Sequence, residues 1–211
     1  MAFVPHIGVI DYGLGNMRSV YGALGRIGVQ FSPVQSPRDL SGCTHLILPG
    51  VGAFSQGMRN LHERTLVEPL VELVGHGEVF LLGICLGMQL LAKSSTEFGD
   101  CDGLNLIDAT VDLLQVERKD MPLPHVGWNE VQAVRSNPLT GGLEHRDYYY
   151  HVHSYVMKPR CEENVLARSE YGENFATIVG CGNVYGTQFH PEKSQVAGLN
   201  LLRNFSELRA G

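Results

Sequence analysis

A cysteine stands between two glycines in the segment Gly83-Ile84-Cys85-Leu86-Gly87, which follows an apolar run and precedes the helix-favouring residues 88–92. This pattern is typical of a nucleophile elbow, where a strand turns sharply into a helix and small flanking residues leave room for the turn. The positive end of that helix would favour a thiolate. A free cysteine is otherwise often a small buried apolar residue. We take Cys85 as the candidate nucleophile and assign the structural role to Cys43, Cys101, Cys161 and Cys181.

A nucleophilic cysteine needs a base, and the base needs a group that orients it. Among nine histidines, His190 follows the strand-like residues 185–189 and opens the turn His190-Pro191-Glu192. Glu192 would accept the Nδ1 proton, so that Nε2 faces the sulfur. The tripeptide alone is also a common surface turn. Combined with the elbow, it predicts a triad of Cys85, His190 and Glu192 for acyl transfer through a thioester.

Thioester chemistry also needs donors for the developing oxyanion. The segment Pro49-Gly50-Val51-Gly52 follows an apolar strand, at the carboxyl edge of a predicted parallel sheet, where ligands of such folds bind. Its glycines allow backbone amides to point outward, although they also suit a plain strand-to-helix turn. The amide directly after the nucleophile is the second natural donor. We therefore expect an oxyanion site formed by Gly50, Val51, Gly52 and Leu86.

Two further motifs resemble binding sites, but each lacks residues that such a site needs. Gly13-Leu14-Gly15 begins like a dinucleotide-binding loop, but Arg18 stands where a third small residue belongs, and no phosphate-loop Lys-Ser or Lys-Thr follows. His151 and His153 would share one face of a strand, yet no Asp, Glu or Cys lies at a spacing that completes a metal site. The sequence therefore predicts hydrogen-bonded core histidines there, with no metal and no cofactor.

The elements that must position these residues alternate between strand and helix in the first third of the chain. Strands are predicted at 7–10, 45–48 and 79–84, and helical spacing runs through 17–27. Pro69 cannot lie inside a continuous helix, so a helix is expected to start near Leu66 or Val67, with Leu61 to Arg64 as a separate turn. Repeated strand–helix units imply a parallel sheet covered on both faces.

The second half of the chain changes to short strands separated by turn residues, which predicts antiparallel hairpins. These strands are expected at 106–114, 130–134, 148–156, 165–169 and 175–179. Apolar residues at steps of three then predict a final amphipathic helix over 196–208. The fold class is α/β: one three-layer α/β/α domain over residues 1–211, with a mostly parallel central sheet and an antiparallel excursion in its second half.

Composition excludes several classes of function. The chain of 211 residues is 44% hydrophobic and 18% charged, as soluble globular proteins are. Its net charge of -6 offers no basic field to nucleic acid. The apolar runs are far shorter than the roughly 20 residues that span a bilayer. Five cysteines without a Cys-x-x-Cys pair, and no signal peptide, predict a reducing cytoplasm.

Together the motifs resemble those of the class I, triad-type glutamine amidotransferases, whose domain carries Gly-x-Cys-x-Gly-x-Gln, Pro-Gly-x-Gly and a late His-Pro-Glu. More narrowly, the chain is similar, nearly end to end, to the family of glutaminase subunits of imidazole glycerol phosphate synthase from histidine biosynthesis. The narrower resemblance rests on residues 10–16, 49–54, 83–89, 125–129, 153–155 and 188–194. Val126 departs from it, since methionine is more frequent there, which leaves the catalytic residues unaffected.

The resemblance implies a role for each site residue. Cys85 attacks the side-chain amide of glutamine, His190 protonates the departing ammonia, and Glu192 orients His190. Water then hydrolyses the glutamyl thioester to glutamate. The amino-acid end of the substrate is implied to contact Gln89, Glu97, Ser154 and Tyr155. In such proteins the oxyanion loop is often misaligned until the partner is occupied.

The same resemblance implies a heterodimer with a separate (β/α)8 cyclase subunit, which receives ammonia through a channel. That subunit forms imidazole glycerol phosphate and an aminoimidazole carboxamide ribonucleotide. The contact residues implied are Trp128, Asn129, Tyr150 and Lys193. A chain of 211 residues cannot hold both this domain and a barrel. The partner is therefore expected to be another chain.

Other functions remain open on the sequence alone. A paralogous subunit could deliver ammonia to another synthase, for instance one that modifies surface sugars. A non-catalytic binding module is disfavoured by the intact Cys85, His190 and Glu192. A cysteine peptidase on a related scaffold would need an open cleft for a peptide chain, whereas the predicted substrate residues suit a free amino acid.

Overall fold

The computed structural model describes residues 4–116, 121–143 and 147–209. Within this part of the chain the helices are α1 (Met17–Ile27), α2 (Phe54–Glu63), α3 (Val67–Gly75), α4 (Leu86–Leu90) and α5 (Gln195–Glu207). The strands of the first half are β1 (His6–Ile10), β2 (Gln30–Val34), β3 (His45–Gly50), β4 (Phe80–Cys85), β5 (Ala92–Ser95), β6 (Cys101–Asp102) and β7 (Ile107–Leu113). Those of the second half are β8 (His125–Ala133), β9 (Asp147–His153), β10 (Tyr155–Pro159), β11 (Val165–Tyr171), β12 (Glu173–Cys181) and β13 (Val184–Thr187).

The central sheet has the strand order β2-β1-β3-β4-β13-β12-β11-β8-β9. Strands β2, β1, β3, β4 and β13 run parallel to one another. From β13 onward each neighbouring pair is antiparallel. The predicted parallel sheet with an antiparallel second half is confirmed. A smaller sheet of order β10-β7-β5-β6, which was not predicted as a separate sheet, also forms.

Helices cover both faces of the central sheet, which gives the three predicted layers. On one face α1 and α5 bury Leu24 and Phe205 against Ile47 of β3. On the other face α2 and α3 bury Phe54 and Leu70 in a second cluster that includes Leu48. Neighbouring β3 residues thus enter opposite cores because successive strand side chains point to opposite faces.

The separate turn predicted for Leu61 to Arg64 is wrong, because residues 61–63 form the last turn of α2. Leu61 is fully buried in the same cluster as Phe54 and Met58, so burial of one apolar face keeps this helix continuous. A helix does begin at Val67 as predicted. Pro69 is its third residue, where a backbone N–H has no partner within the helix in any case.

Other elements also differ from the sequence prediction, and β8 begins at His125 rather than at residue 130. The segment 148–156 forms two strands, because the chain leaves the central sheet at Ser154 and continues as β10 beside β7. The helix after the elbow ends at Leu90, and Ala92 already belongs to β5. Strand β2 was not predicted; its Pro33 is tolerated because β2 is an edge strand of the sheet.

The structural role predicted for the remaining cysteines fits Cys43, which is buried in the core, and Cys101, which packs against that core. Cys101 is half-buried, whereas Cys161 and Cys181 are exposed. Among the described helices, none is long and apolar enough to cross a membrane.

Candidate active site

Cys85 is the last residue of β4 and has backbone angles φ 54° and ψ -109°. A non-glycine residue rarely adopts this region, so the surrounding structure must hold it there. The flanking glycines allow the close packing that does so. A Cβ on Gly83 would lie 2.6 Å from the backbone of Gly87, and one on Gly87 would collide with the Leu48 carbonyl oxygen. The predicted nucleophile elbow is therefore present.

The sulfur of Cys85 lies near polar atoms of β9 and of the residue that follows β13. Its Sγ atom is 3.7 Å from the Val152 carbonyl oxygen and 3.9 Å from Nε2 of Gln188. Cys85 is only 6% exposed, yet it lines the cavity described below. The thiol is thus shielded from bulk water and open to a bound ligand.

His190 follows β13, and the short turn Pro191–Lys193 brings Glu192 back to it. His190 Nδ1 donates a hydrogen bond of 2.8 Å to Glu192 Oε1, and both side chains are buried. The backbone of His190 is fixed as well, because its amide donates to the Tyr150 carbonyl and its carbonyl accepts from the Ser194 hydroxyl. With Nδ1 occupied, Nε2 is the ring nitrogen left free for chemistry, and it has no hydrogen-bond partner among the described residues.

The electrostatic setting of His190 favours its protonated form. Burial by itself lowers the pKa of His190, but interactions with Cys85 and Glu192 outweigh that effect and raise the pKa to about 9. At neutral pH the imidazole therefore holds a proton. A proton donor is what a departing amine requires.

The predicted oxyanion residues lie beside the nucleophile. Gly50 is paired with Cys85 in the parallel register of β3 and β4. Val51, Gly52 and Leu86 line the same cavity as Cys85. A Cβ on Gly50 would collide with the hydroxyl of Tyr12, which is buried and has no partner among the described residues. The contact with Tyr12 was not predicted, because an aromatic residue thirty-eight positions earlier in the sequence gives no sign of it.

All four predicted substrate residues line one cavity of about 360 Å³. Its walls are formed by Val51, Gly52, Cys85, Leu86, Gln89, Glu97, Phe98, Pro124, Val152, His153, Ser154 and Tyr155. The volume falls in the range of small-molecule sites, roughly 300–1,000 Å³. Of the lining residues, Phe98, Pro124 and Val152 carried no sequence signal for binding. His153 belongs to the rejected metal motif and to a segment that carries the family resemblance, but neither predicted a binding role for it.

Two of the substrate residues are themselves held in place. Gln89 Nε2 donates to the Tyr155 carbonyl at 2.9 Å and to Gln188 Oε1 at 3.3 Å. Glu97 accepts a hydrogen bond of 2.6 Å from the Phe54 amide at the start of α2. The cavity therefore offers a carboxylate and an amide with defined orientations, which suits the charged end of a free amino acid.

The predicted interface residues divide into two groups. Trp128 and Tyr150 pair across β8 and β9, with ring centroids 6.2 Å apart, and the Lys193 ammonium lies 5.7 Å from the centre of the Tyr150 ring. Asn129 does not join them, because its side chain donates to the Glu170 carbonyl at 2.9 Å. The interface role of all four residues stays a prediction.

The sequence pattern of the family described as "Glutamine amidotransferase class-I" matches residues 8–207. The chain therefore belongs to the class-I glutamine amidotransferases. A solved structure titled "Crystal structure of glutamine amidotransferase" superimposes with a TM-score of 0.75 at 25% identity and covers 95% of this chain and 97% of that one. The "Structure of PurLQS from Thermotoga maritima" shares the fold, with a TM-score of 0.73 at 20% identity over 96% of this chain and 98% of that one.

More specific relatives carry the name "Imidazole glycerol phosphate synthase subunit HisH". The one from Moorella thermoacetica is 45% identical over 202 residues, which cover 96% of this chain and 94% of the relative. The one from Desulfitobacterium hafniense is 42% identical over 201 residues, covering 95% and 93%. Within the class-I glutamine amidotransferases, the chain belongs to the HisH family.

Proposed function

We propose that this chain hydrolyses glutamine to glutamate and ammonia as the glutaminase subunit of an imidazole glycerol phosphate synthase in histidine biosynthesis. The observation that carries the chemistry is the proximity of two units, because Cys85 lies close enough to His190 to help raise the pKa of the imidazole. Cys85 is presented by the strained elbow, and His190 is held by Glu192 at 2.8 Å with Nε2 free. The biosynthetic role is supported by the names of the HisH relatives.

Acylation begins when the Cys85 thiolate attacks the side-chain amide carbon of glutamine. The amide oxygen becomes an oxyanion, which the backbone amides of the Gly50 to Gly52 loop and of Leu86 would stabilise. His190 then transfers its Nε2 proton to the nitrogen, the C–N bond breaks and ammonia leaves. The product is a glutamyl thioester on Cys85.

Deacylation uses the same residues, with His190 now acting as a base instead of an acid. Neutral His190 accepts a proton from water, and the hydroxide oxygen adds to the thioester carbon. The C–S bond then breaks, which releases glutamate and the Cys85 thiolate and leaves His190 protonated for the next turnover. Glu192 stabilises the imidazolium and keeps Nε2 directed at the reacting atoms throughout.

Substrate recognition follows from the charges lining the cavity. Glu97 would bind the α-ammonium of glutamine, while Gln89 and the segment Ser154 to Tyr155 would contact the carboxylate and the amide side chain. A carboxylate on the wall opposes binding of a peptide whose amino group is already acylated. These features support a free amino acid as the substrate.

The partner proposed for this chain is a (β/α)8 cyclase subunit on a separate chain, which would consume the ammonia. Apolar side chains on the outer face of β8 and β9 support such a contact, because Val126, Trp128 and Tyr148 are exposed. Exposed apolar patches of this kind are typical of protein interfaces. We place the complex in the cytoplasm, where the free thiols of this chain would stay reduced.

The test is glutamate release by the purified chain, alone and with an imidazole glycerol phosphate synthase cyclase subunit and its ribonucleotide ligand. Cys85→Ala should abolish release, and Cys161→Ala, which removes an exposed cysteine, should not. Stimulation by the cyclase supports the proposed pathway. Activity without stimulation points to a paralogue that serves another synthase, and glutamate release that survives Cys85→Ala refutes the mechanism.

A further inference from the structure

Three buried histidines form a cluster behind the wall of the cavity. His125 belongs to β8, and His151 and His153 belong to β9. In the antiparallel register His125 faces His153, and His151 lies two residues away on the same strand. Their exposed fractions are 3%, 0% and 6%. All three imidazoles therefore lie on the inward face of one hairpin. Only His151 and His153 could be grouped from the sequence, because His125 joins them through strand pairing.

The nitrogen atoms of the cluster are spaced like the ligands of a tetrahedral metal ion. His153 Nε2 lies 3.2 Å from His125 Nδ1 and 3.3 Å from His151 Nδ1. One ligand atom from each residue lies within 4.8 Å of the other two. Tetrahedral coordination with Zn–N bonds of about 2.0–2.1 Å places ligand nitrogens about 3.3–3.4 Å apart. Small side-chain adjustments would bring the third pair of nitrogens to that spacing.

Hydrogen bonds within the protein satisfy these rings only in part. His153 Nδ1 donates to the Tyr155 carbonyl at 3.1 Å, which leaves a bare lone pair on Nε2. That single lone pair is the only hydrogen-bond acceptor that His153 offers to both His125 Nδ1 and His151 Nδ1. His151 Nε2 is buried and has no hydrogen-bond partner among the described residues. A histidine kept only for packing normally has its buried nitrogens satisfied, so the cluster requires another explanation.

The surroundings suit an ion that prefers neutral imidazole. Burial lowers the pKa of His125 to about 4 and that of His153 to about 3, so both rings are uncharged at neutral pH. Neutral imidazole is the form that binds metal. The Tyr155 carbonyl supports His153 from the outside, as outer-shell carbonyls do for metal-bound histidines. Aromatic rings of Tyr171, Phe175 and Phe189 enclose the cluster.

We propose that His125, His151 and His153 bind one divalent transition-metal ion, with Zn²⁺ the best match. Imidazole ligands without carboxylates favour Zn²⁺, Co²⁺, Ni²⁺ or Cu²⁺ over Mg²⁺ and Ca²⁺. His153 also lines the substrate cavity, which gives the ion a route of access. The ion would clamp β8 to β9 next to Val152, whose carbonyl contacts Cys85 Sγ.

The experiment uses the full chain carrying Cys85→Ala, so that the catalytic thiolate cannot coordinate the ion. Titration with Co²⁺ should give visible ligand-field bands that saturate at about one ion per chain, without a sulfur-to-cobalt charge-transfer band. Zn²⁺ at about 100 times its Kd should raise Tm by about 5–10 °C. His151→Phe should lose both effects, whereas His45→Phe, at another fully buried histidine, should keep them.

A second measurement decides the matter if His151→Phe does not fold. X-ray absorption of the Zn²⁺-loaded Cys85→Ala chain should show three imidazole nitrogens at about 2.0–2.1 Å, and sulfur at about 2.3 Å would place the ion on surface cysteines instead. Binding of Co²⁺ unchanged by His151→Phe, or no ion retained after gel filtration, would overturn the proposal. None of these readouts depends on glutaminase activity, so they test the metal site apart from the proposed function.

Discussion

The Glu97 carboxylate accepts a hydrogen bond of 2.6 Å from the Phe54 amide, so a residue of the cavity wall also caps the start of α2. The residue before Phe54 is Ala53, which has no side chain that could cap the helix. One carboxylate oxygen therefore serves the helix, and the other can serve the substrate. Substitutions of Glu97 can therefore separate the effect of its charge on substrate binding from the effect of its hydrogen bond on the stability of α2.

We expect Glu97→Gln to raise KM for glutamine about tenfold or more, because a charge-assisted hydrogen bond to the α-ammonium is worth about 1.5–3 kcal/mol. In this variant the side-chain carbonyl at position 97 can still accept the hydrogen bond from the Phe54 amide. The free energy of unfolding should therefore change little. Glu97→Ala should lose both roles and cost about 0.5–2 kcal/mol of stability. Steady-state kinetics and urea unfolding measure the two effects.

Asp100→Asn is the matched control, since Asp100 is an exposed carboxylate close in sequence. It should leave KM unchanged. An unchanged KM in Glu97→Gln would instead show that the substrate ammonium binds elsewhere.

The second prediction concerns the proton on His190. Glu192→Gln removes a carboxylate that helps to raise the pKa of His190 to about 9, so the pKa should fall. NMR titration of the His190 ring measures this directly. Glutamate release should fall by about 10²-fold or more, because the imidazolium loses its counter-charge.

The same pKa shift predicts a pH dependence of stability. The folded pKa of His190 lies above the unfolded value of about 6.5, so the folded state binds the proton more tightly. This contribution is fully present below pH about 6.5 and is lost as the pH rises through about 9. Wild type should therefore lose more stability than Glu192→Gln across that interval. Parallel pH profiles of the free energy of unfolding, together with an unchanged His190 titration, would refute the assignment.

The elbow at Cys85 and the hydrogen-bonded turn from His190 to Glu192 could be predicted from the sequence because each is specified locally. The elbow requires Gly83 and Gly87 within two residues of Cys85, and His190 and Glu192 lie on a single turn. Likewise, apolar periodicity predicted α1 and α5 because one face of each helix is buried.

Features that depend on contacts distant in sequence could not be predicted in this way. The alternating pattern of 148–156 shows no break, yet the chain changes sheets at Ser154, because Leu114 donates to the Ser154 carbonyl and β10 continues along β7. The contact of Tyr12 with Gly50 and the approach of His125 to His153 arise only when separate strands meet. In each case tertiary contacts, rather than local preference, decide the geometry.

The third prediction tests the support of the oxyanion loop. In Gly50→Ala the new Cβ would collide with the Tyr12 hydroxyl and lie 3.0 Å from the Leu86 Cβ. Overpacking of this kind costs about 1–3 kcal/mol of stability, and the displaced loop should also slow glutamate release. Tyr12→Phe removes the buried hydroxyl and should restore part of the stability of Gly50→Ala. A double-mutant cycle from urea unfolding measures this coupling.

Gly75→Ala serves as the control for this cycle, since a Cβ there has no atom within 4 Å. It lies at the end of α3 and should not destabilise the chain. Additive effects of Gly50→Ala and Tyr12→Phe would show that the hydroxyl does not restrict the loop.

The last prediction concerns association with the proposed cyclase subunit. Trp128, the only tryptophan of the chain, is 47% exposed. Its ring packs against the ring of Tyr150, and the Lys193 ammonium lies over that tyrosine ring. Tryptophan in such a position is typical of interface hot spots, where truncation costs about 2 kcal/mol or more. Trp128→Ala should therefore raise Kd for the cyclase about thirtyfold, and Val134→Ala, at an exposed apolar residue just past β8, should not. Calorimetric titration measures both, and basal glutamate release by each variant alone checks that the cavity is intact. Equal Kd values for Trp128→Ala and wild type would place the interface on another face of the protein.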